Sequence, residues 1–384
     1  MSDTTTSDEQ PSGMFNGSPV HDLFPRLHEI FPSTRMAPAA EPHRFPTGAP
    51  FELPETHHFA GEDRSTAEFL VDADTAALLV LQNGEIRHEW YGLTGGPDVR
   101  WISWSVAKSY VSALVGIAIE DGHIGGVTDP ISDYAPALAG SGYDGVRIED
   151  VLQMSSGARW YEEYSDPASD VHQLGRVNSG DLTLDEFVAS IPADHEPATV
   201  CRYSSADTQA LGMLLVGATG RTIADYMHEK LVVPLGMEDD SYWLTDTSGR
   251  EWAYGGLMLT ARDFAKIGEL YRRGGDWYGT QVVPADWVAR SIVPDKPHLE
   301  PGNTTLGGET LGIGYGYQWW LYPGDRGDYS AIGVYNQYVH VDTPSGAVIV
   351  KLSANRRYGL SVKESDNRSG QNYLVMRAIA EALD

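Results

Sequence analysis

Cysteine is almost missing. Cys201 stands alone in 384 residues, so no intrachain disulfide can form and nothing in the chain points to oxidative folding. Basic side chains are scarce as well: 27 Lys and Arg face 54 Asp and Glu, a formal charge of −27. A surface that acidic repels phosphate backbones and argues against nucleic acid as a partner; its plain use is solubility. No apolar run reaches the roughly 18 residues of a membrane span. The N-terminal stretch MSDTTTSDEQPSG has neither the basic n-region nor the apolar h-region of a secretory signal. The expectation is a cytoplasmic protein with no membrane and no nucleic-acid partner. Several motifs are absent too: H-E-x-x-H, the G-x-S-x-G elbow, a P-loop, and a G-x-G-x-x-G placed before a helix. These gaps speak against a zinc protease, an α/β-hydrolase and a nucleotide enzyme, so no metal and no cofactor are expected. The 12 histidines, His57-His58 among them, read as solvated or packing side chains.

What is present is a chain long enough for one large core with an insertion, or for two domains. Residues 1–18 read as a disordered tail, and 19–62, rich in Pro, His and Phe, as an arm lying over a surface. In AALLVLQNGEIRHEWYG two β-type runs flank Asn83-Gly84, a strong hairpin signal. From Ser103 the pattern turns helical. Ala107, Val111, Leu114, Val115 and Ala118 form a stripe at helical spacing, while Val106, Tyr110, Ala113 and Ile117 make the other side apolar, so this helix is expected to be buried. The middle is helical and loop-rich, with Thr260 as a candidate N-cap. Near the end QYVHVDTPSGAVIVKLS reads as a second hairpin, followed by an amphipathic helix in QNYLVMRAIAEALD. Strands at both ends with helices between suggest one sheet completed by the two termini, and a cleft beside the inserted region.

Ser105 and Lys108 share one face at the head of the buried helix. S-x-x-K alone is weak, since chance supplies it about once or twice in a chain of this length. The setting strengthens it. A lysine buried there must be desolvated, which lowers its pKa toward neutrality and makes it a usable base for the adjacent hydroxyl. Free N–H groups at the helix start can also receive an oxyanion. CRYSSADTQALGMLL places Tyr203 and Ser205 before another helical run, and a tyrosine near a lysine can pass its proton. Taken alone, that stretch favours a core tyrosine in a Y-x-S turn. In SAIGVYNQYVHVD a glycine and Val334 open a strand whose edge offers backbone N–H groups to a cleft. Cys201 has no placed histidine and reads as a packed thiol.

In that order, S-V-A-K, Y-S-S and G-V-Y-N-Q resemble the three motifs of the class C β-lactamase-like serine hydrolases. The likeness continues through DVLQMSSGARWYEEYSDPASD, YGGLMLTARDFAKIG and YGYQWW, and so covers most of residues 70–384. S-V-x-K-S, E-x-Y-x-D-P-A-S, Y-x-S-A and Q-W-W are most similar to the 6-aminohexanoate-dimer (nylon-oligomer) hydrolase group. The resemblance implies a β-lactamase/penicillin-binding-protein-like α/β (α+β) fold: an antiparallel sheet from both termini flanked by helices, plus a mostly helical region. The expected layout is a tail and arm over 1–62 and a hydrolase domain over 63–384, its α/β part about 63–110 and 325–384 and its helical part about 111–324.

Carried over by position, the resemblance implies Ser105 as acyl-forming nucleophile, Lys108 as its base and Tyr203 as proton shuttle. The backbone N–H groups of Ser105 and Val334 would form the oxyanion hole. Tyr164 would contact the leaving amine, and Trp320, Tyr254 and Tyr335 would line the cleft. The implied partner is a small amide or ester, and a homodimer is the assembly the resemblance suggests. Three departures stand out. Val334-Tyr335-Asn336 carries no cation where penicillin-interacting enzymes have Lys-Thr/Ser-Gly, and Asn336 replaces the glycine usual in nylon-oligomer hydrolases. Gly175 stands where some of those hydrolases carry an acid for the substrate ammonium. A β-lactamase or D,D-peptidase is the competing enzyme, opposed by the missing cation. A silent binding module on the same fold has no use for Ser105, Lys108 and Tyr203 together.

Overall fold

The computed structural model describes residues 14–177 and 182–384. Its main sheet has seven antiparallel strands, in spatial order Gly314–Tyr315, Trp320–Leu321, Tyr329–Gly333, Gln337–Asp342, Ala347–Ser353, Thr75–Gln82 and Glu85–Tyr91. Both expected hairpins form. Gln82 pairs with Glu85 around Asn83 (φ 52°) and Gly84 (φ 80°), the backbone signature of a tight hairpin turn. Asp342 pairs with Ala347 around Pro344-Ser345-Gly346. The central strands are buried on both faces, because successive side chains point to opposite sides. Leu79, Leu81, Val348 and Val350 enter the larger core, with Phe264 and Ile267 of the helix Ala261–Arg272. Leu78, Val80 and Ile349 enter a second core with Val375, Met376 and Ile379 of the helix Ser369–Glu381. Thr260 caps the former helix as expected, accepting from Asp263 N at 3.3 Å.

The helix Ala107–Glu120 is buried without interruption from Ala107 to Ala118. It packs against Ser205–Thr219, itself apolar on nearly every side. A helix enclosed this way cannot slide or roll without disturbing neighbours on all faces, which makes its N-terminus a rigid mount for Ser105 and Lys108.

Three expectations need correction. The middle region holds a second, four-stranded sheet as well as helices: Ser33–Met36, Ser241–Leu244, Leu257–Leu259 and Trp101–Ile102 lie side by side. The arm is therefore woven in, since Ser33–Met36 pairs with Ser241–Leu244, and the hairpin of Thr56–Phe59 with Glu62–Ser65 straddles the expected boundary at residue 62. The expected tail lies outside the described residues over 1–13, and where it is described, from Met14 to Ser18, it packs against the body. There Phe15 stacks on Tyr164 and Tyr335.

Candidate active site

The strand Trp101–Ile102 runs into a 3₁₀ turn, Trp104–Val106, and then into the helix Ala107–Glu120. Trp104 takes a left-handed φ of 43°, a conformation that costs a bulky residue about 1–3 kcal/mol and persists only where packing enforces it. Its ring sits edge-on to Phe24 at 5.6 Å. The sharp turn leaves Ser105 half-buried, reachable from a cavity, while Lys108 one turn on is 1% exposed. Lys108 Nζ donates to Ser205 Oγ at 3.1 Å and to the Tyr254 carbonyl at 2.8 Å. It also stands 5.3 Å from the centre of the Tyr203 ring. Burial brings the Lys108 ammonium down to about 8, against the upward pull of Glu162 and Asp207. Tyr203 leads into the helix Ser205–Thr219, whose N-cap Ser204 accepts from Asp207 N at 3.1 Å. Burial holds the Tyr203 phenol well above its ordinary value, while the facing Ser105 hydroxyl pulls it down.

Val334 does not open a strand. The strand ends at Gly333, and Val334-Tyr335-Asn336 is a turn back into Gln337–Asp342, with φ of 61° at Tyr335 and 69° at Asn336. Asparagine is the side chain that best replaces glycine at left-handed φ, which accounts for Asn336 at a position of glycine in the resembled group. Its side chain donates to the Asn367 carbonyl at 2.8 Å and accepts from Asn355 at 2.8 Å. Gln337 clamps the turn from beneath, donating to the carbonyls of Val334 at 3.0 Å and Ser353 at 2.7 Å. Gly333 lets the strand end abut the serine turn. A Cβ there would lie 2.6 Å from the Ser103 carbonyl and 3.2 Å from Ser105 N.

A cavity of about 420 Å³ opens over this junction, and its wall includes Ser105, Tyr164, Tyr203, Trp320 and Val334. Five of the expected residues thus meet around one space. Trp320 stacks on Tyr203 at 5.0 Å. Tyr254 and Tyr335 were also expected in the wall, and neither lines it. Tyr254 turns its carbonyl to Lys108 and stacks on Trp252. Tyr335 is 1% exposed, its ring held by Phe15 and Phe24 and its hydroxyl accepting from Phe15 N. The turn, with its left-handed residue at Tyr335, is what carries this side chain away from the cleft. Among the described residues Glu364 is the one charged side chain of the wall, and its carboxylate already accepts from Gly370 N and Gln371 N.

Sequence reading missed Glu162. This carboxylate is 1% exposed and gathers four donors: Ser205 N at 2.8 Å and Trp160 Nε1 at 2.7 Å on one oxygen, Ser205 Oγ at 2.9 Å and the Tyr164 hydroxyl on the other. Lys108, Ser205, Glu162 and Tyr164 are one hydrogen-bonded chain. An acid within an acidic protein carries no local signal, so only the fold could single it out. Asp207 is likewise interior. It accepts from Tyr143 and Ser156, and burial raises it to about 7.

The β-lactamase family model matches residues 64–373. The chain belongs to that family. It is 31% identical over 340 residues to 6-aminohexanoate-dimer hydrolase of Paenarthrobacter ureafaciens, covering 86% of this chain and 84% of that protein. A Pseudomonas fluorescens β-lactamase is 24% identical over 288 residues, 67% of this chain and 73% of that one. Among solved structures, a candidate 6-aminohexanoate-dimer hydrolase from Bacillus anthracis superposes with a TM-score of 0.85 at 21% identity, covering 98% of this chain and 99% of that one. A family VIII carboxylesterase gives 0.62 at 15% identity over 82% and 95% of the two chains. The expected β-lactamase/penicillin-binding-protein-like fold is therefore the observed one. This β-lactamase-family protein is a serine hydrolase that cleaves small amides or esters through an acyl-enzyme.

Burial raises the Cys201 thiol to about 12, which keeps it protonated and inert as a nucleophile. Gly175 lies in the helix Asp170–Val177. Among the described residues, Asp328, His340 and Asp342 bring three potential metal ligands together in the interior. Asp342 is already held by Arg326 and by Ser345, leaving fewer free ligands than a structural zinc ion takes. No described helix is long and apolar enough to cross a membrane.

Proposed function

We propose that Ser105 is the nucleophile, Lys108 its base, Tyr203 the proton carrier, and the N–H groups of Ser105 and Val334 the oxyanion hole. The single observation that carries this reading is a lysine buried one turn after a reachable serine, with its ammonium brought down to about 8. Near neutral pH a working fraction of Lys108 is then uncharged. The Ser105 proton passes to Lys108 as Oγ attacks the substrate carbonyl, directly or through the Tyr203 hydroxyl. Negative charge on the carbonyl oxygen is met by N–H groups that the helix start and the Val334 turn hold in place before reaction. On collapse the leaving nitrogen or oxygen takes a proton by way of Tyr203, and Ser105 keeps the acyl group until water reverses the sequence.

Tyr164 orients a leaving amine, and Trp320 forms the wall behind Tyr203. The wall adds Leu306, Leu311, Ile313 and Ile332 to these rings, and among the described residues it contains no lysine, arginine or histidine. That lining suits an apolar or uncharged acyl group and offers nothing to a β-lactam carboxylate. A linear aliphatic amide of the kind named for the Paenarthrobacter relative is the first amide to try. The lone thiol, buried and reduced, fits a cytoplasmic enzyme. The test is turnover of p-nitrophenyl butyrate and of 6-aminohexanoate dimer by native enzyme and by Ser105→Ala. Loss of both activities in a folded variant is expected. A folded Ser105→Ala protein with near-native turnover overturns the assignment.

A further inference from the structure

We propose that Phe15 is a positioning residue of the active site: a peg from the N-terminal segment that holds Tyr164 and the Val334-Tyr335 turn in register with each other. The inference rests on the roles proposed for Tyr164 and Val334 and extends them to a residue that lines no part of the cavity.

The contacts converge on both subsites at once. The Phe15 ring stacks on Tyr164 with centroids 5.1 Å apart and on Tyr335 at 5.0 Å, the planes 26° and 25° apart. It meets the edge of His172 at 5.8 Å. Its backbone N–H donates to the Tyr335 hydroxyl at 2.7 Å, and that hydroxyl in turn points to Met14 Sδ at 3.7 Å. Phe15 makes these contacts from a left-handed φ of 55°, which an unconstrained phenylalanine avoids. The loop above closes down on it. Gly359 stands at φ 74°, and a Cβ there would fall 2.5 Å from Phe15 Cδ1 and 3.1 Å from Tyr164 Cβ. Only glycine allows that approach.

The two rings under Phe15 belong to elements with no direct covalent tie: Tyr164 to a loop ending in the helix Asp170–Val177, Tyr335 to the turn between two sheet strands. One carries the hydroxyl aimed at the leaving amine, the other follows the oxyanion N–H donor. Phe15 bridges them from a segment about 150 residues before Tyr164 and 320 before Tyr335. Removing its ring leaves both hydroxyl partners in place while deleting the surface that sets their spacing. Transition-state geometry, more than substrate binding, should then suffer.

The test compares native enzyme with Phe15→Ala, Phe15→Leu and Phe15→Tyr in the full chain, measuring kcat and KM on an anilide and a p-nitrophenyl ester of the same acid, with Tm recorded for each. Phe15→Ala is expected to lower the anilide kcat by about 10-fold or more and the ester kcat by only about 2- to 3-fold, with KM nearly unchanged. Phe15→Tyr, which keeps the ring, restores most of the anilide rate. Phe15→Leu falls between and keeps the fold testable should the alanine variant lose stability. A native anilide kcat in Phe15→Ala or Phe15→Leu overturns the inference. So do equal losses on both substrates that simply follow Tm. If anilide turnover in the native enzyme survives Ser105→Ala, the proposed roles fail first, which separates that failure from this one.

Discussion

Glu162→Gln tests whether the buried chain from Lys108 to Tyr164 sets the pH range of the enzyme. Lys108 Nζ reaches Ser205 Oγ at 3.1 Å, and Ser205 Oγ reaches Glu162 at 2.9 Å, so ammonium and carboxylate are no more than about 6 Å apart. At an effective dielectric constant of ~20 that separation gives about 2.8 kcal/mol of attraction, or about two pK units; double the dielectric constant and about one unit remains. The direction follows from which form the carboxylate favours. Glu162 stabilises the charged lysine, so removing its charge lowers the Lys108 pKa, and the base becomes available at lower pH. The acid limb of kcat/KM, expected near pH 8 in the native enzyme, should move down by roughly 1–2 units. At pH 6 the variant should then retain about 10- to 50-fold more of its own plateau rate than the native enzyme does. Glutamine is chosen because the site can accept it. Its oxygen can take the Trp160 and Ser205 N–H bonds, while its amide donates to the Ser205 and Tyr164 hydroxyls, which can reverse. The freed Ser205 proton can turn toward the neutral lysine and favours the same direction. The assay is initial-rate hydrolysis of p-nitrophenyl butyrate from pH 5 to 9, with a viscosity control to confirm that chemistry limits the rate. An acid limb that stays in place, or moves upward, would falsify the coupling and assign the limb to another group.

Tyr164→Phe should reduce amide turnover by roughly 10-fold or more, while ester turnover stays within a few-fold, because only an amine needs orientation as it leaves; equal losses in paired assays would make Tyr164 a packing residue. Gly333→Ala should slow ester and amide alike by about 10-fold or more, since the new methyl would push against Ser103 O and against Ser105 N, a donor of the proposed oxyanion hole; native kinetics in a folded variant would contradict that placement. Nitrocefin should be hydrolysed poorly or not at all, since no cation lines the cavity among the described residues; efficient turnover would raise the β-lactamase reading above the amidase one.

Much of this architecture was legible because its causes are local. Asn83-Gly84 makes a turn whatever surrounds it, Thr260 caps a helix through a neighbour three residues away, and a helix after Ser103 with apolar residues on nearly every side has nowhere to go but the interior. S-V-A-K, Y-S-S and G-V-Y-N-Q are short enough to be read as strings, and their meeting at one cavity follows from the family fold. Orientation was not legible. Tyr335 looked like a cleft residue because it sits within a motif, yet the left-handed turn at Tyr335-Asn336 directs its ring under Phe15 and Phe24. The second sheet escaped notice because Ser33–Met36 finds its partner at Ser241–Leu244, about 200 residues on, and short edge strands carry little periodic signal.

The sequence by itself determined which groups could do chemistry: a serine and a lysine one helical turn apart, a tyrosine before a second helix, a cation-free third motif. Tertiary structure decided how those groups behave. Lys108 is near neutral pH because it is enclosed, and its partners Ser205 and Tyr254 lie 97 and 146 residues away. Glu162 and Phe15 acquire their roles in the same way, through neighbours that no window of sequence contains. Desolvation and ring contact depend on distance in space, and that distance is fixed only when the larger core closes around the helix that follows Ser105.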